Sequence, residues 1–410
     1  VTSIYDRLGL APIINASGSV TRLGGAILPD AVLAAFLDGN QRAVPLEQLQ
    51  AVASRVIARI TTAQAGLVTC GSAAALTLGA AAILAGLDPG RMERLPDTTG
   101  LRREFLVARE QRNGYDHAVR AAGAKLVEVG FNEIVGNAGV RRTELWEYEA
   151  ALTPDTVGIL FNQSPHSRPT LPEIVGFARM HSLRVLVDAA GELPPRDNLT
   201  RLIATGADLV CFSGGKAIRG PQSTGILCGR KELIASAALQ MLDNDDHPEL
   251  WDPPADYIDR TQLAGLPRHG LGRAMKVSKE EIVALLAALE LFASGAYDAD
   301  RERHLNWLEQ IAQSLEGLPV VCHLRDPGDG QSLPKLELEL DASWGDRRAA
   351  AFAACRHLRR GNAPLYPPVY PGHGQLDQGI LVVNPFCLRA DELAPLITAL
   401  QHTLTHPPRH

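Results

Sequence analysis

The residue types with the most chemistry in them converge on Lys216. It stands in Asp208-Leu-Val-Cys-Phe-Ser-Gly-Gly-Lys216-Ala-Ile-Arg-Gly-Pro-Gln222-Ser-Thr-Gly225: an apolar run, a Ser-Gly-Gly turn, the lysine, then a second glycine-rich turn leading into another apolar run. A lysine held in a pocket at a strand end loses hydration, so its pKa falls and its amine becomes nucleophilic. The flanking glycines let the backbone approach a flat ring closely. The hydroxyl of Ser213, three residues earlier, can donate a hydrogen bond to a phosphate. Taken alone, the same residues also describe an exposed turn lysine. A phosphate-binding P-loop is excluded, because the glycine spacing differs and Ala217 rather than Ser or Thr follows the lysine.

Two further constellations give Lys216 a context. In Val185-Leu-Val-Asp188-Ala-Ala-Gly-Glu192 an aspartate ends an apolar strand, 28 residues before the lysine, which leaves room for one helix and one strand. A carboxylate there can pair with the pyridinium nitrogen of pyridoxal 5′-phosphate (PLP), keeping the ring an electron sink for charge at a substrate Cα. An aspartate in this place also serves as a helix cap or turn former. In Val68-Thr-Cys70-Gly71-Ser72-Ala73-Ala74-Ala75 a strand ends, a Gly-Ser turn follows and an alanine-rich helix begins. Unpaired amides at a helix start bind phosphate, helped by the helix dipole; simple N-capping by Ser72 is the alternative. The order is phosphate cup, aspartate, lysine, and the three together are far more specific than any one.

The elements that must position these residues follow from periodicity. Candidate strands are Gly66–Thr69, Glu104–Ala108, Lys125–Val129, Val157–Phe161, Arg184–Val187, Asp208–Phe212 and Thr224–Cys228, with candidate helices Ser72–Ala85, Tyr115–Ala122, Thr143–Leu152, Leu171–His181 and Asn198–Thr205 between them. Near-continuously apolar strands alternating with helices predict an α/β fold with a mostly parallel sheet covered on both faces. Ligands of such sheets bind beyond the carboxyl ends of the strands. After Arg273 the pattern changes to helices over 278–293 and 298–315, strands over 320–324 and 336–340, a helix over 347–359, a strand over 379–383 and a helix over 390–404. The expected organisation is an N-terminal arm over 1–45, a large domain over 46–272 and a smaller α+β domain over 273–410. The polar stretch from Met241 to Arg268, rich in acidic residues, reads as a long loop or lid.

The bulk properties restrict the partners. Forty basic against 46 acidic residues give a net charge of −6, and no basic block stands out, so a nucleic-acid partner is not expected. The six cysteines form no CxxC pair, which argues against a zinc ribbon or redox site and for small buried hydrophobes; Cys70, beside the glycine turn, is the possible exception. The longest Ala/Leu-rich run, from Ala73 to Leu87, is too short to span a bilayer, and no leader-like start is seen, so a cytoplasmic protein without a membrane partner is expected. The Asp243–His247 cluster lacks the spacing of a calcium loop and reads as solvated. Gln163 and His166 follow a strand and so point toward the pocket of Lys216, with turn formation as the alternative. Tyr115 or His117 stacks on the cofactor ring or starts a surface helix.

The chain resembles the selenocysteine-synthase-like branch of fold-type I (aspartate-aminotransferase-like) PLP enzymes, which includes seryl-tRNA selenium transferases and D-glucosaminate-6-phosphate ammonia-lyases. The resemblance runs from Ile14-Asn15-Ala-Ser-Gly18 to Asn384-Pro385 and is most specific at Phe212-Ser-Gly-Gly-Lys216 with Gly220-Pro221-Gln222. It implies that Lys216 carries PLP as a Schiff base and Asp188 partners the pyridinium. It also implies that Gly71, Ser72, Ala73 and Ser213 hold the phosphate, and that the site is built in a homodimer or larger assembly. His269-Gly-Leu-Gly-Arg273-Ala-Met-Lys276 matches a stretch whose basic residues hold an anion in the selenium transferases, so Arg273, Lys276 and Arg22 are candidate anchors for a substrate carboxylate or phosphate. Gly25 replaces an anion-binding arginine of those transferases, and their long tRNA-binding region is absent, which moves the expectation to a small amino acid. The expected reaction is α,β-elimination on a β-hydroxy amino acid to a 2-oxo acid and ammonia. Racemisation, aldol cleavage, transamination and selenium transfer remain as alternatives.

Overall fold

The computed structural model describes residues 4–131, 142–242, 247–328 and 333–406. The chain divides into two compact units, Leu28–Ser294 and Val1–Ile27 with Gly295–His410. The divisions therefore fall at 27/28 and 294/295, against expected boundaries at 45/46 and 272/273.

The larger unit is built on a seven-stranded sheet. Its strands are β1 (Ala65–Thr69), β2 (Glu104–Ala108), β3 (Lys125–Val129), β4 (Thr156–Asn162), β5 (Arg184–Asp188), β6 (Leu209–Ser213) and β7 (Gly225–Gly229), in the spatial order β1-β7-β6-β5-β4-β2-β3. All neighbours are parallel except β7, which runs antiparallel to both β1 and β6. Most strand residues are buried, as expected of a sheet covered on both faces. The Ser72–Ala85 helix is buried on nearly every side. Its small residues let it lie directly on the sheet: a side chain at Gly79 would meet Leu186 Cδ1 at 2.8 Å.

Four helices of this unit are additions to the sequence reading: Asp30–Asn40, Leu46–Thr61, Pro89–Arg94 and Lys231–Gln240. The first lies in what reads as an arm in the sequence, and the second opens the expected large domain. Asp30–Asn40 packs so tightly on the Lys279–Ser294 helix that a side chain at Gly39 would stand 2.4 Å from Val283 Cγ2. The stretch expected to be a lid is corrected in part. Within it Trp251, Tyr257 and Ile258 are buried in the same hydrophobic core as the Ser72–Ala85 helix, Arg260 stacks on Trp251 at 5.6 Å, and Arg55 pairs with Asp256 at 2.9 Å. Apolar side chains spaced along a polar loop fix it as a strap. Residues 243–246, and with them most of the acidic cluster ending at His247, lie outside the described residues. Among the described residues no group of three or more His, Cys, Asp or Glu side chains could hold a metal ion, and no single helix is long and apolar enough to cross a membrane.

The smaller unit carries a three-stranded antiparallel sheet with Lys335–Leu340 between Val320–Arg325 and Ile380–Val383. Leu336, Leu338 and Leu340 are buried while Glu337 and Glu339 alternate with them on the other face, the period of a half-covered strand. Helices Asp298–Ser314, Arg347–Arg360 and Leu393–Thr405 supply the rest of the core. Ile14–Ala16 pairs in parallel with Val369–Pro371 and so ties the N-terminal segment into this unit.

Candidate active site

Four strands of the larger unit end on the same edge of the sheet, and the candidate residues stand there. Thr69 on β1 faces Gly225 on β7, Gly225 faces Ser213 on β6, Cys211 on β6 faces Asp188 on β5, and Asp188 faces Asn162 on β4. The sheet register alone therefore places the cup beside Ser213 on one row and Asp188 beside Asn162 on a second, two residues back along β6.

The cup forms where β1 turns into the Ser72–Ala85 helix. Gly71 N donates to Thr69 O at 2.8 Å, and Thr69 Oγ1 donates back to Gly71 O at 2.9 Å. Gly71 takes φ 105° and ψ 162°, a region open essentially to glycine alone. Gly71, not Ser72, is the helix cap, and no side chain satisfies the helix start. The first intrahelical bond is Ala75 N to Gly71 O at 3.1 Å, so the amides of Ser72, Ala73 and Ala74 precede it. This favours the anion-binding reading over capping by Ser72. β7 closes the cup from below: a side chain at Gly225 would stand 2.4 Å from Gly71 C and 2.6 Å from Ser72 N.

Lys216 sits in a tightly laced turn. Gly214 N donates to Thr224 O, Arg219 N to Lys216 O and Gly220 N to Gly214 O, each at 2.9 Å. A side chain at Gly215 would meet Gln222 Cα at 2.7 Å, and one at Gly220 would meet Leu285 Cδ1 at 2.8 Å, so the glycines permit the folding of the turn on itself and on the Lys279–Ser294 helix. Lys216 is half-buried, and its Nζ lies 4.0 Å from the position a side chain at Gly191 would take, beside the turn that follows Asp188. Asp188 Oδ1 accepts from Ala190 N at 3.0 Å. Burial pushes the Asp188 carboxyl above the ordinary aspartate range; the Ala190 amide and Lys216 pull it back, while Asp116 adds to the rise. Burial and the charge of Asp188 raise Glu192 in the same way. Cys211, fully buried, donates its thiol to Ser72 O at 3.3 Å and joins the Asp188 row to the cup.

The remaining expected residues of the larger unit are placed less centrally. Gln163 N donates to Asp188 O at 2.9 Å, but the side chain turns back, Nε2 donating to Ser164 O at 3.1 Å. His166 is exposed in the turn that follows. Arg273 is half-buried and Lys276 exposed, on a turn whose Gly272 packs against Leu78 and the Gln240 backbone, well along the Ser72–Ala85 helix from the cup. Arg22 belongs to the smaller unit and lies over the Tyr370 ring at 5.4 Å. Tyr115 is 63% exposed and His117 is exposed, so the surface-helix alternative describes them. Cys70 is half-buried, with its thiol raised by burial.

Two residues of this edge escape sequence reasoning. Gln111, past the end of β2, is 8% exposed and holds Asn162 twice: Asn162 N donates to its Oε1 at 3.1 Å and Asn162 Nδ2 to its O at 2.5 Å. Asp116 is 3% exposed; its Oδ2 is held by Arg112 and by Asn113 N, and its Oδ1 is buried without a hydrogen-bond partner. Both lie in the polar string Arg109–Asp116, in which no local pattern marks their burial.

An amine, a half-buried carboxylate and a row of free helix amides on one sheet edge suit a planar pyridine that bears an aldehyde and a phosphate. The unpartnered Gln222 Oε1 and Asp116 Oδ1 are further signs of an edge shaped to meet a ligand. Comparison with known proteins agrees with this geometry. The chain is 29% identical over 98% of its length, and 92% of the relative's, to a 5′-C-glycyluridine monooxygenase-decarboxylase of a Streptomyces species. It is 26% identical to the D-glucosaminate-6-phosphate ammonia lyase of Salmonella typhimurium, covering 98% of both chains. The solved structure of a D-glucosaminate-6-phosphate ammonia-lyase superposes with a TM-score of 0.79 at 25% identity over 99% of both chains. Aspartate aminotransferase of Thermotoga maritima shares the fold, with a TM-score of 0.52 at 16% identity over 98% of this chain and 94% of that one. The family model described as L-seryl-tRNA selenium transferase matches residues 13–244, and the chain belongs to that family, on the aspartate-aminotransferase-like fold.

Proposed function

We propose that the chain is a PLP-dependent lyase that eliminates across Cα and Cβ of a small β-hydroxy amino acid. The observation that carries this reading is Lys216 Nζ beside the Asp188 turn, on the same sheet edge as a helix start that no side chain caps. The Ser72–Ala74 amides and Ser213 hold the phosphate. Asp188 would partner the ring nitrogen and hold a proton there; its raised carboxyl pKa means that ionising it in this setting is unfavourable until a cation is bound opposite. PLP, when bound, accepts the electron pair left at Cα. The amine of Lys216, once the substrate amine has taken its place, would take the Cα proton as a general base. The protonated Lys216 would return that proton to the β-hydroxyl, which would leave as water with its bonding pair; the amine of Lys216 would then retake its place and release an enamine, which a second water hydrolyses to a 2-oxo acid and ammonia.

The likeness to an ammonia lyase over 98% of both chains supports elimination. A second reading, oxidative decarboxylation of an amino acid, is favoured by the 29% identity to the glycyluridine enzyme. The chain is also proposed to act as a homodimer, because Leu33 and Leu37, one turn apart on the Asp30–Asn40 helix, are 45% and 57% exposed.

The test begins with a spectrum of purified protein with added PLP. A visible band that Lys216→Ala abolishes supports the lysine role, whereas no band in the unaltered protein refutes the cofactor reading. The cofactor-loaded protein is then given D- and L-β-hydroxy amino acids. Ammonia and 2-oxo acid formed in equal amounts without oxygen uptake support elimination. Oxygen uptake with carbon dioxide release selects the second reading, and reversible transamination without ammonia release refutes both.

A further inference from the structure

Gln111 is fixed against the site at two points. Its carbonyl accepts from Asn162 Nδ2 and its side-chain Oε1 accepts from Asn162 N. Asn162 in turn stands directly opposite Asp188 in the parallel pairing of β4 with β5. The bond from Asn162 N also determines which way the amide faces, since a backbone N–H needs the oxygen and a flipped amide would set two donors against each other. Nε2 therefore points away from Asn162, and it is buried with no hydrogen-bond partner. A buried donor left unmade is costly, and the fold has no structural reason to retain one beside two well-used acceptors on the same residue.

We propose that Gln111 is a further ligand-binding residue of this site, its Nε2 donating a hydrogen bond to an anionic oxygen of the molecule bound over Asp188. Two oxygens have that chemistry: the ring oxygen of the cofactor and the carboxylate of the amino acid joined to it. The strand order supports the assignment. The cup on β1 and Ser213 on β6 take the phosphate on one side of Asp188, and Gln111, reached through β4 and β2, lies on the other, where the ring oxygen and the substrate must extend. The inference rests on the cofactor reading given above.

The test uses Gln111→Glu at pH 8, which keeps an oxygen for Asn162 N while replacing the donor by an acceptor, and Gln111→Met, which removes both. Three quantities are measured: the melting temperature without cofactor, the Kd of PLP, and the Kd of 2-methylserine, which lacks a Cα proton, on PLP-saturated protein. A rise of fivefold or more in the Kd of PLP assigns the bond to the ring oxygen. The same rise for 2-methylserine alone assigns it to the substrate carboxylate. Changes below fivefold in both, in either variant that melts as the unaltered protein does, overturn the proposal. If neither variant folds, a crystal structure of the unaltered protein with PLP and 2-methylserine decides it: Nε2 more than 4 Å from every ligand oxygen refutes it. Failure of the unaltered protein to bind PLP removes the cofactor reading instead, so the two failures are distinct.

Discussion

Gly225→Ala tests whether the cup is held in place by the strand beneath it. The added methyl would lie 2.4 Å from Gly71 C and 2.6 Å from both Gly71 O and Ser72 N. Ordinary contact between such atoms begins at about 3.5 Å, so β7 and the cup must separate by about 1 Å. Crowding of this kind costs about 1–3 kcal/mol of stability. If the cup moves, an amide-to-phosphate bond near 2.9 Å becomes too long to count as one. Losing one hydrogen bond to a charged group costs about 1.5–3 kcal/mol, a weakening of PLP binding of about 10- to 150-fold. Gly71→Ala is the contrast: its side chain would meet nothing within 4 Å, but its backbone conformation costs about 1–3 kcal/mol for a non-glycine residue. Both variants are assayed by thermal melting without cofactor and by PLP titration. A Gly225→Ala protein with unaltered melting and unaltered PLP affinity would refute the close approach of β7 to the cup.

Two other outcomes are expected. Asp188 has a folded-state pKa above its ordinary value of 3.8, so the native state keeps this proton to higher pH than the unfolded chain does, and stability falls as pH rises from about 3.8 through the raised value. Asp188→Asn should therefore melt higher than the unaltered cofactor-free protein at pH 7–8, with the gain vanishing below about pH 4, while PLP binds more weakly; a lower melting temperature at pH 8 would contradict the sign. Leu37→Glu should convert the dimer to a monomer in light-scattering chromatography while leaving the far-ultraviolet circular dichroism unchanged, and an unaltered protein that is already monomeric would remove the dimer proposal.

The sheet is legible because its inner strands are buried on both faces and read as apolar runs; Glu104–Ala108 and the more exposed edge strand Lys125–Val129 coincide with their expected limits. The Ser72–Ala85 helix coincides as well. The helix Asp30–Asn40 is not legible, since two exposed leucines blur its buried face. The pairing of Ile14–Ala16 with Val369–Pro371 joins segments too distant for any local signal. At the site, lysine, aspartate and glycine turn were readable because their chemistry is tied to local spacing. Gln111 and Asp116 were not, because their burial depends on Asn162 and on neighbours that the string Glu110-Gln111-Arg112 does not announce. Tyr115 and His117 drew attention as rings, yet helix phase turned Asp116 inward and left them outside.

The pairing of Ser213 with Gly225 has a consequence for how this chain could be rebuilt. Residues 214–224 leave the sheet and return to it at two positions that face each other, so they form a closed module inserted between fixed ends. Such a module can be exchanged with that of a relative without shifting the strands on either side. Its outward anchor is Leu285, which Gly214 and Gly220 both approach. A transplanted lysine loop would therefore have to travel with the residue at position 285, and chimeras that move the loop alone mark where the interchangeable part of the fold ends.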